Sequence, residues 1–159
     1  MNAPRGAALI ALLVCAQAAS AGAQDGSPKP ELRTDLLGSA PYSVQLGAGL
    51  NAGLGYYARL ELDAGFGALK RRGTVVGNGR LDAITRLMLD PFGESRWGLS
   101  IGGGLSVRYE AGGRVRPYLA GLLDLEGPKM GRYRLAYQAG LGGGVRLGVS
   151  IRRAREAWR

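Results

Sequence analysis

VQLGAGLNAGLGYYARLELDAGFGA, residues 44–68, separates cleanly by parity. The even positions are Val44, Leu46, Ala48, Leu50, Ala52, Leu54, Tyr56, Ala58, Leu60, Leu62, Ala64, Phe66 and Ala68, while the odd positions hold Gln45, Asn51, Tyr57, Arg59, Glu61, Asp63 and glycines. Successive side chains of a strand point to opposite faces, so a period of two over this length is a β signature with one apolar and one polar face. Asn51-Ala52-Gly53 supplies turn residues and divides the stretch into a hairpin. The span from Leu36 to Ala58 carries no charge, but Pro41, Gln45, Asn51 and repeated glycines oppose reading it as a membrane helix.

The same alternation extends outward from this stretch. Leu81, Ala83, Thr85, Leu87 and Leu89 oppose Arg80, Asp82, Ile84, Arg86, Met88 and Asp90. From Trp97 to Glu110, an apolar set ending at Tyr109 opposes Ser100, Ser106, Arg108, Glu110 and glycines. From Arg114 to Glu126, Val115, Pro117, Leu119, Gly121, Leu123 and Leu125 oppose Arg114, Arg116, Tyr118, Asp124 and Glu126. The last segment sets Tyr133, Leu135, Tyr137, Ala139, Leu141, Val145, Leu147, Val149 and Ile151 against Arg132, Arg134, Gln138, Arg146, Ser150 and Arg152. No charge falls on the apolar parity of any of these segments.

Turn chemistry separates the segments at Arg72-Gly73 through Gly77-Asn78-Gly79, at Asp90-Pro91-Phe92-Gly93, at Ala111-Gly112-Gly113 and at Glu126-Gly127-Pro128. Short connections between neighbouring strands imply an antiparallel up-and-down meander, which predicts an all-β barrel. Six strands are plain. A short strand at Leu32–Leu37 and a break near Gly140–Gly143 raise the count to eight, the favoured number. The barrel is placed at residues 42–152, after an extended, proline-containing lead-in at 24–41 and before a tail at 153–159, where Ala154–Trp158 could form a frayed helical turn.

Residues 1–23 read as a cleaved secretory signal: Arg5 gives a positive start, Ala7–Ala16 an apolar run, and Ala19-Ser20-Ala21 or Ala21-Gly22-Ala23 a small-x-small cleavage site. The apolar run is too short for a spanning helix of about 20 residues. Cys15, the sole cysteine, lies within it, so disulfides and thiol chemistry are not expected in the mature chain. Lipid attachment at Cys15 is disfavoured by the bulky Val14 before it. Removing the segment takes one arginine from a chain of formal net charge +9. The basic balance invites nucleic acid as a partner, but no basic run with interleaved aromatics exists, only scattered pairs such as Arg71-Arg72, and export argues against it.

Alternation alone does not decide which face meets the outside. A soluble barrel fills its interior with bulky apolar groups, whereas this polar face is rich in glycine and serine, as suits a narrow lumen holding a few long charged side chains. Aromatics gather at strand ends (Tyr42, Tyr56, Tyr57, Trp97, Tyr109 and Tyr133), like the girdles that flank an apolar band about 25 Å tall. Arginine near the middle of a lipid-facing wall costs about 2–4 kcal/mol, which accounts for its strict exclusion from one parity. On this alternation, the signal and the last strand Gly144–Ile151, the region from Tyr42 to Arg152 resembles the small OmpA/OmpX-like barrels of the bacterial outer membrane. The last strand resembles the insertion signal read by the barrel assembly machinery, although the family's terminal aromatic is replaced by Ile151 and an arginine-rich continuation. The resemblance implies outer-membrane lipid, that machinery and periplasmic chaperones as partners. The alternative is a soluble or lipid-tethered periplasmic barrel binding an apolar ligand inside.

Histidine is absent, which removes His-based triads, His metal sites and the usual imidazole base. Outer-membrane lipid A deacylases, palmitoyl transferases and omptin-type proteases resemble one another in relying on that residue, so no enzyme and no cofactor are expected. The glycine runs Gly47-Ala48-Gly49 and Gly140–Gly144 sit in alternating strands rather than before a helix, so they are not phosphate loops. Candidate functional residues are therefore a lumenal charge network: Arg59, Glu61, Asp63, Arg80, Asp82, Arg86, Arg108, Glu110, Arg116, Asp124, Glu126, Arg134 and Arg146. Carboxylates beside arginines are read as ion-pair partners rather than as an acid/base pair.

Overall fold

A computed structural model describes residues 27–38, 42–71, 73–91, 95–112 and 114–154. Eight strands, β1 (Lys29–Gly38), β2 (Ser43–Gly53), β3 (Ala58–Arg71), β4 (Thr74–Met88), β5 (Gly98–Glu110), β6 (Arg114–Met130), β7 (Tyr133–Leu141) and β8 (Val145–Arg153), form one closed barrel. Each strand pairs antiparallel with its sequence neighbours, and β1 closes the ring against β8 with Leu32 opposite Ile151 and Leu36 opposite Leu147. The expected signal at 1–23 and the helical turn at 154–158 fall largely outside the described residues.

The barrel begins earlier than the alternation from Tyr42 implies. Lys29–Gly38 lies in the expected lead-in, where the sequence offers only a short strand at Leu32–Leu37, yet its ten residues form β1. Pro30 sits near the strand's start, where a missing N–H is tolerated. Inside it, Glu31, Arg33, Asp35 and Leu37 are buried while Leu32 and Leu36 are exposed.

Three turn assignments also move. Asn51-Ala52-Gly53 ends β2, where it pairs with Glu61, Leu60 and Arg59, and the connection to β3 falls at residues 54–57. Gly77-Asn78-Gly79 lies within β4, because the β3–β4 pairing runs to Arg71 opposite Thr74 and leaves the connection at residues 72–73. Within it Phe66 lies opposite Gly79, where a Cβ would stand 3.4 Å from the ring. Glu126-Gly127-Pro128 is a bulge in β6: Glu126 pairs with Ala136 and Lys129 with Arg134, so two residues face one, and Pro128 occupies a point where the ladder needs no donor. The reversal itself falls at Gly131, whose φ of 63° is in the left-handed region. The break expected near Gly140–Gly143 is present and separates β7 from β8.

The outer wall is apolar. Leu119 is 83% exposed and Phe66 73%, and Leu46, Leu81, Leu105 and Leu141 are also exposed. Among the described strand residues on this wall, charges occur only at Lys70 and Arg153, both near strand ends. All six aromatics expected to form girdles are exposed. Tyr56, Tyr57, Trp97 and Tyr133 lie at the end that carries the chain termini, and Tyr42 and Tyr109 at the other. The shortest strands have 9 residues, the length a membrane-spanning β-strand needs when tilted by about 45°.

Candidate functional site

The polar parity of every strand turns inward and fills the lumen. At the end carrying the chain termini, Arg152 of β8 binds Glu31 at 2.7 Å, Asp124 at 2.6 Å and Glu126 at 3.0 Å. Arg86 of β4 reaches Asp124 at 2.8 Å and also pairs with Glu61. Half-buried Arg59 and Arg134 close this end on Glu126. Arg33 stands midway, with Glu61 at 3.0 Å, Asp35 at 2.9 Å, and further contacts to Asp63 and the Gln138 amide oxygen. Toward the opposite end, Arg80 and Arg146 share Asp35 and Asp82, with Arg146 to Asp82 at 2.7 Å and Arg80 to Asp82 at 2.9 Å.

Among the described residues, the buried arginines Arg33, Arg80, Arg86, Arg146 and Arg152, together with half-buried Arg59 and Arg134, meet the carboxylates of Glu31, Asp35, Glu61, Asp63, Asp82, Asp124 and Glu126. Within this set of seven arginines and seven carboxylates the charges cancel. That matters because an unpaired ion out of water costs several kcal/mol, whereas a paired and hydrogen-bonded one is tolerated. An apolar patch of Ile84, Ala120 and Leu122 sits inside the lumen between the two ends of the network.

Small residues make room for these long side chains. A Cβ on Gly49 would collide with Asp63 Oδ1, so an alanine there would push the carboxylate off Arg33. Glu31, Glu61 and Asp63 bring one oxygen each within 4.8 Å of one another, a spacing a hard cation could use. Arg33 already supplies the positive charge there, since its Nη1 contacts both Glu61 and Asp63.

Of the thirteen candidates named from sequence, Glu61, Asp63, Arg80, Asp82, Arg86, Asp124, Glu126 and Arg146 are buried in the network, and Arg59 and Arg134 cap it. Arg108 and Glu110 are half-buried near the mouth opposite the chain termini, and Arg116 is exposed there rather than joining the buried pairs. Its strand end carries it past the filled part of the lumen. Glu31, Arg33 and Asp35 are missing from the sequence-based set because the alternation from Tyr42 leaves β1 in the lead-in. Arg152 is also missing, although its parity beside Ser150 and Arg146 was sufficient to find it.

No protein-family model matches the sequence, and no curated protein matches it. Among solved structures, the chain is similar to one described as the solution NMR structure of the de novo designed TMB2.3, with a TM-score of 0.46 and 12% identity over 84% of this chain and 98% of that one.

Proposed function

We propose that this chain is a non-enzymatic integral protein of the bacterial outer membrane, an OmpA/OmpX-like barrel whose lumen is occluded by paired charges. One observation carries the reading: the barrel is apolar outside and charged inside. In a soluble barrel the large aliphatic side chains would turn inward, and an exposed wall of Leu46, Leu105, Leu119 and Phe66 would drive association. Lipid removes that penalty. A barrel of eight strands has a lumen that side chains can fill, and here the guanidinium and carboxylate groups do so. Its role is accordingly structural or surface-interacting in the envelope, with solute passage at most minor. Outer-membrane lipid surrounds it, and periplasmic chaperones and the barrel assembly machinery bring it there. The interior charges also oppose an apolar ligand inside a soluble barrel, because such a ligand would have to displace bonded ion pairs.

Cell fractionation with heat-dependent gel migration tests the reading. Recovery only with detergent and a folded band that shifts on boiling are expected, and release with soluble periplasmic proteins would refute it. A paired substitution tests the facing: Leu105→Arg places a charge on the wall and is expected to abolish assembly, at a cost of about 2–4 kcal/mol near the membrane midplane. Ser106→Arg, one residue along and buried in the lumen, is expected to add crowding rather than a lipid-facing charge, and so to reach the membrane in larger amount. Equal yields from the two would contradict the facing.

A further inference from the structure

Arg80, Arg108 and Arg116 lie directly opposite one another on β4, β5 and β6 and share the inward parity. Directly opposed side chains start about 4.5–5.5 Å apart, and like charges so placed repel. Like charges also face each other at Arg59 and Arg86, at Asp63 and Asp82, and at Arg134 and Arg152. Each of those six reaches an opposite charge, on a neighbouring strand or across the lumen.

Arg108 does not. It donates Nη1 to the Gly143 carbonyl at 3.0 Å and lies 5.5 Å over the Tyr118 ring, while its Nε and Nη2 are shielded from solvent without a hydrogen-bond acceptor among the described residues. Arg80, only 3% exposed, also has an unused Nη1, and Arg146 beside it an unused Nη2.

The surroundings are built rather than incidental. Gly143 has a φ of 71° and would bring a Cβ to 2.7 Å from Tyr118, so the β7–β8 turn is folded tightly against that ring and holds its carbonyl over Arg108. Donors left without acceptors are costly, and a row of three arginines in register, one of them without an ion pair, is the complement of a multidentate oxyanion.

We propose that this mouth, opposite the chain termini, binds a phosphate-like oxyanion between Arg108, Arg80 and Arg116. The anion accepts from the unused guanidinium N–H groups and cancels the repulsion along the row. Either free phosphate or the phosphate of a lipid headgroup has the required chemistry. The site depends only on lumenal residues, so it would persist even if the barrel proved soluble.

The test uses the full chain folded in octyl glucoside, which carries no phosphate, with inorganic phosphate as the probe followed by its phosphorus resonance. Saturable broadening is expected. Arg108→Gln and, separately, Arg116→Gln should each weaken the affinity, the former by about tenfold, as loss of a charge-assisted bond implies. Arg116 is exposed, so its variant folds irrespective of the fate of the other and keeps the test decisive. Unchanged affinity in the folded variants, or equal displacement by chloride at matched ionic strength, would overturn the proposal. Displacement by a short-chain phosphatidic acid assigns the site to a headgroup, and resistance to it assigns the site to free phosphate.

Discussion

The end of the lumen that carries the chain termini and the end beneath the β7–β8 turn use the same residue types with different accounts of charge. At the first, Arg86 and Arg152 lie among Glu31, Glu61, Asp124 and Glu126, and every guanidinium finds a carboxylate. At the second, Arg80 and Arg146 divide Asp35 and Asp82, and Arg108 is left with a carbonyl and a ring. The first end behaves as part of the fold, in which pairing offsets desolvation. Guanidinium N–H groups without an acceptor occur at both ends, on Arg59, Arg86 and Arg134 as well as on Arg80, Arg108 and Arg146, but only at the second does a half-buried arginine, Arg108, make no ion pair among the described residues, so a ligand can meet it there without dismantling one.

The contrast can be broken most severely at Asp124. Asp124→Ala removes the carboxylate shared by Arg86 and Arg152 and leaves buried positive charge uncompensated, an expected loss of about 3–5 kcal/mol in denaturant unfolding of the micelle-bound barrel. A loss below about 1 kcal/mol would mean that the pairs are not structural. Ile84→Ala acts on the patch between the two ends: its side chain is fully buried against Ala120 and Leu122, and the cavity is expected to cost about 2–4 kcal/mol by the same measurement.

A smaller effect is expected at the β7–β8 turn. Gly143→Ala combines a positive φ with a collision at Tyr118, for a cost of about 1–2 kcal/mol and a visible change in tyrosine fluorescence or near-ultraviolet dichroism. Arg116→Gln should be nearly neutral, within about 0.5 kcal/mol in phosphate-free buffer, because its side chain is exposed. A marked destabilisation there would move Arg116 into the buried network.

The sequence discloses most of the wall and less of what lies inside it. Period-two alternation in β2 through β8 is strong because one face tolerates only apolar residues, so register and facing follow almost residue by residue. β1 escaped full recognition since Pro28, Pro30 and Thr34 dilute the alternation, although Leu32 and Leu36 still point outward. With it went Glu31, Arg33 and Asp35, three members of the charge network. Parity could place Ile84 and Leu122 inside but could not show that they meet, because that contact joins two strands with another between them. Nor could it show that Arg108 makes no ion pair among the described residues, since ion pairs across a lumen depend on strand tilt and not on sequence spacing.

The least conspicuous strand also has a temporal consequence. β1 is hydrogen-bonded on one side to the strand that follows it and on the other to β8, with Arg146 and Arg152 reaching back 111 and 121 residues to Asp35 and Glu31. Until the last strand has been made and delivered, the sheet has two open edges, and the first arginines and acids are without several of their partners. Closure therefore belongs to the final moment of folding, and the high contact order of that step makes it slow. A chain shortened by β8 alone would lose its first strand's partner as well as its last strand, and would behave less like a slightly smaller barrel than like an unfinished sheet.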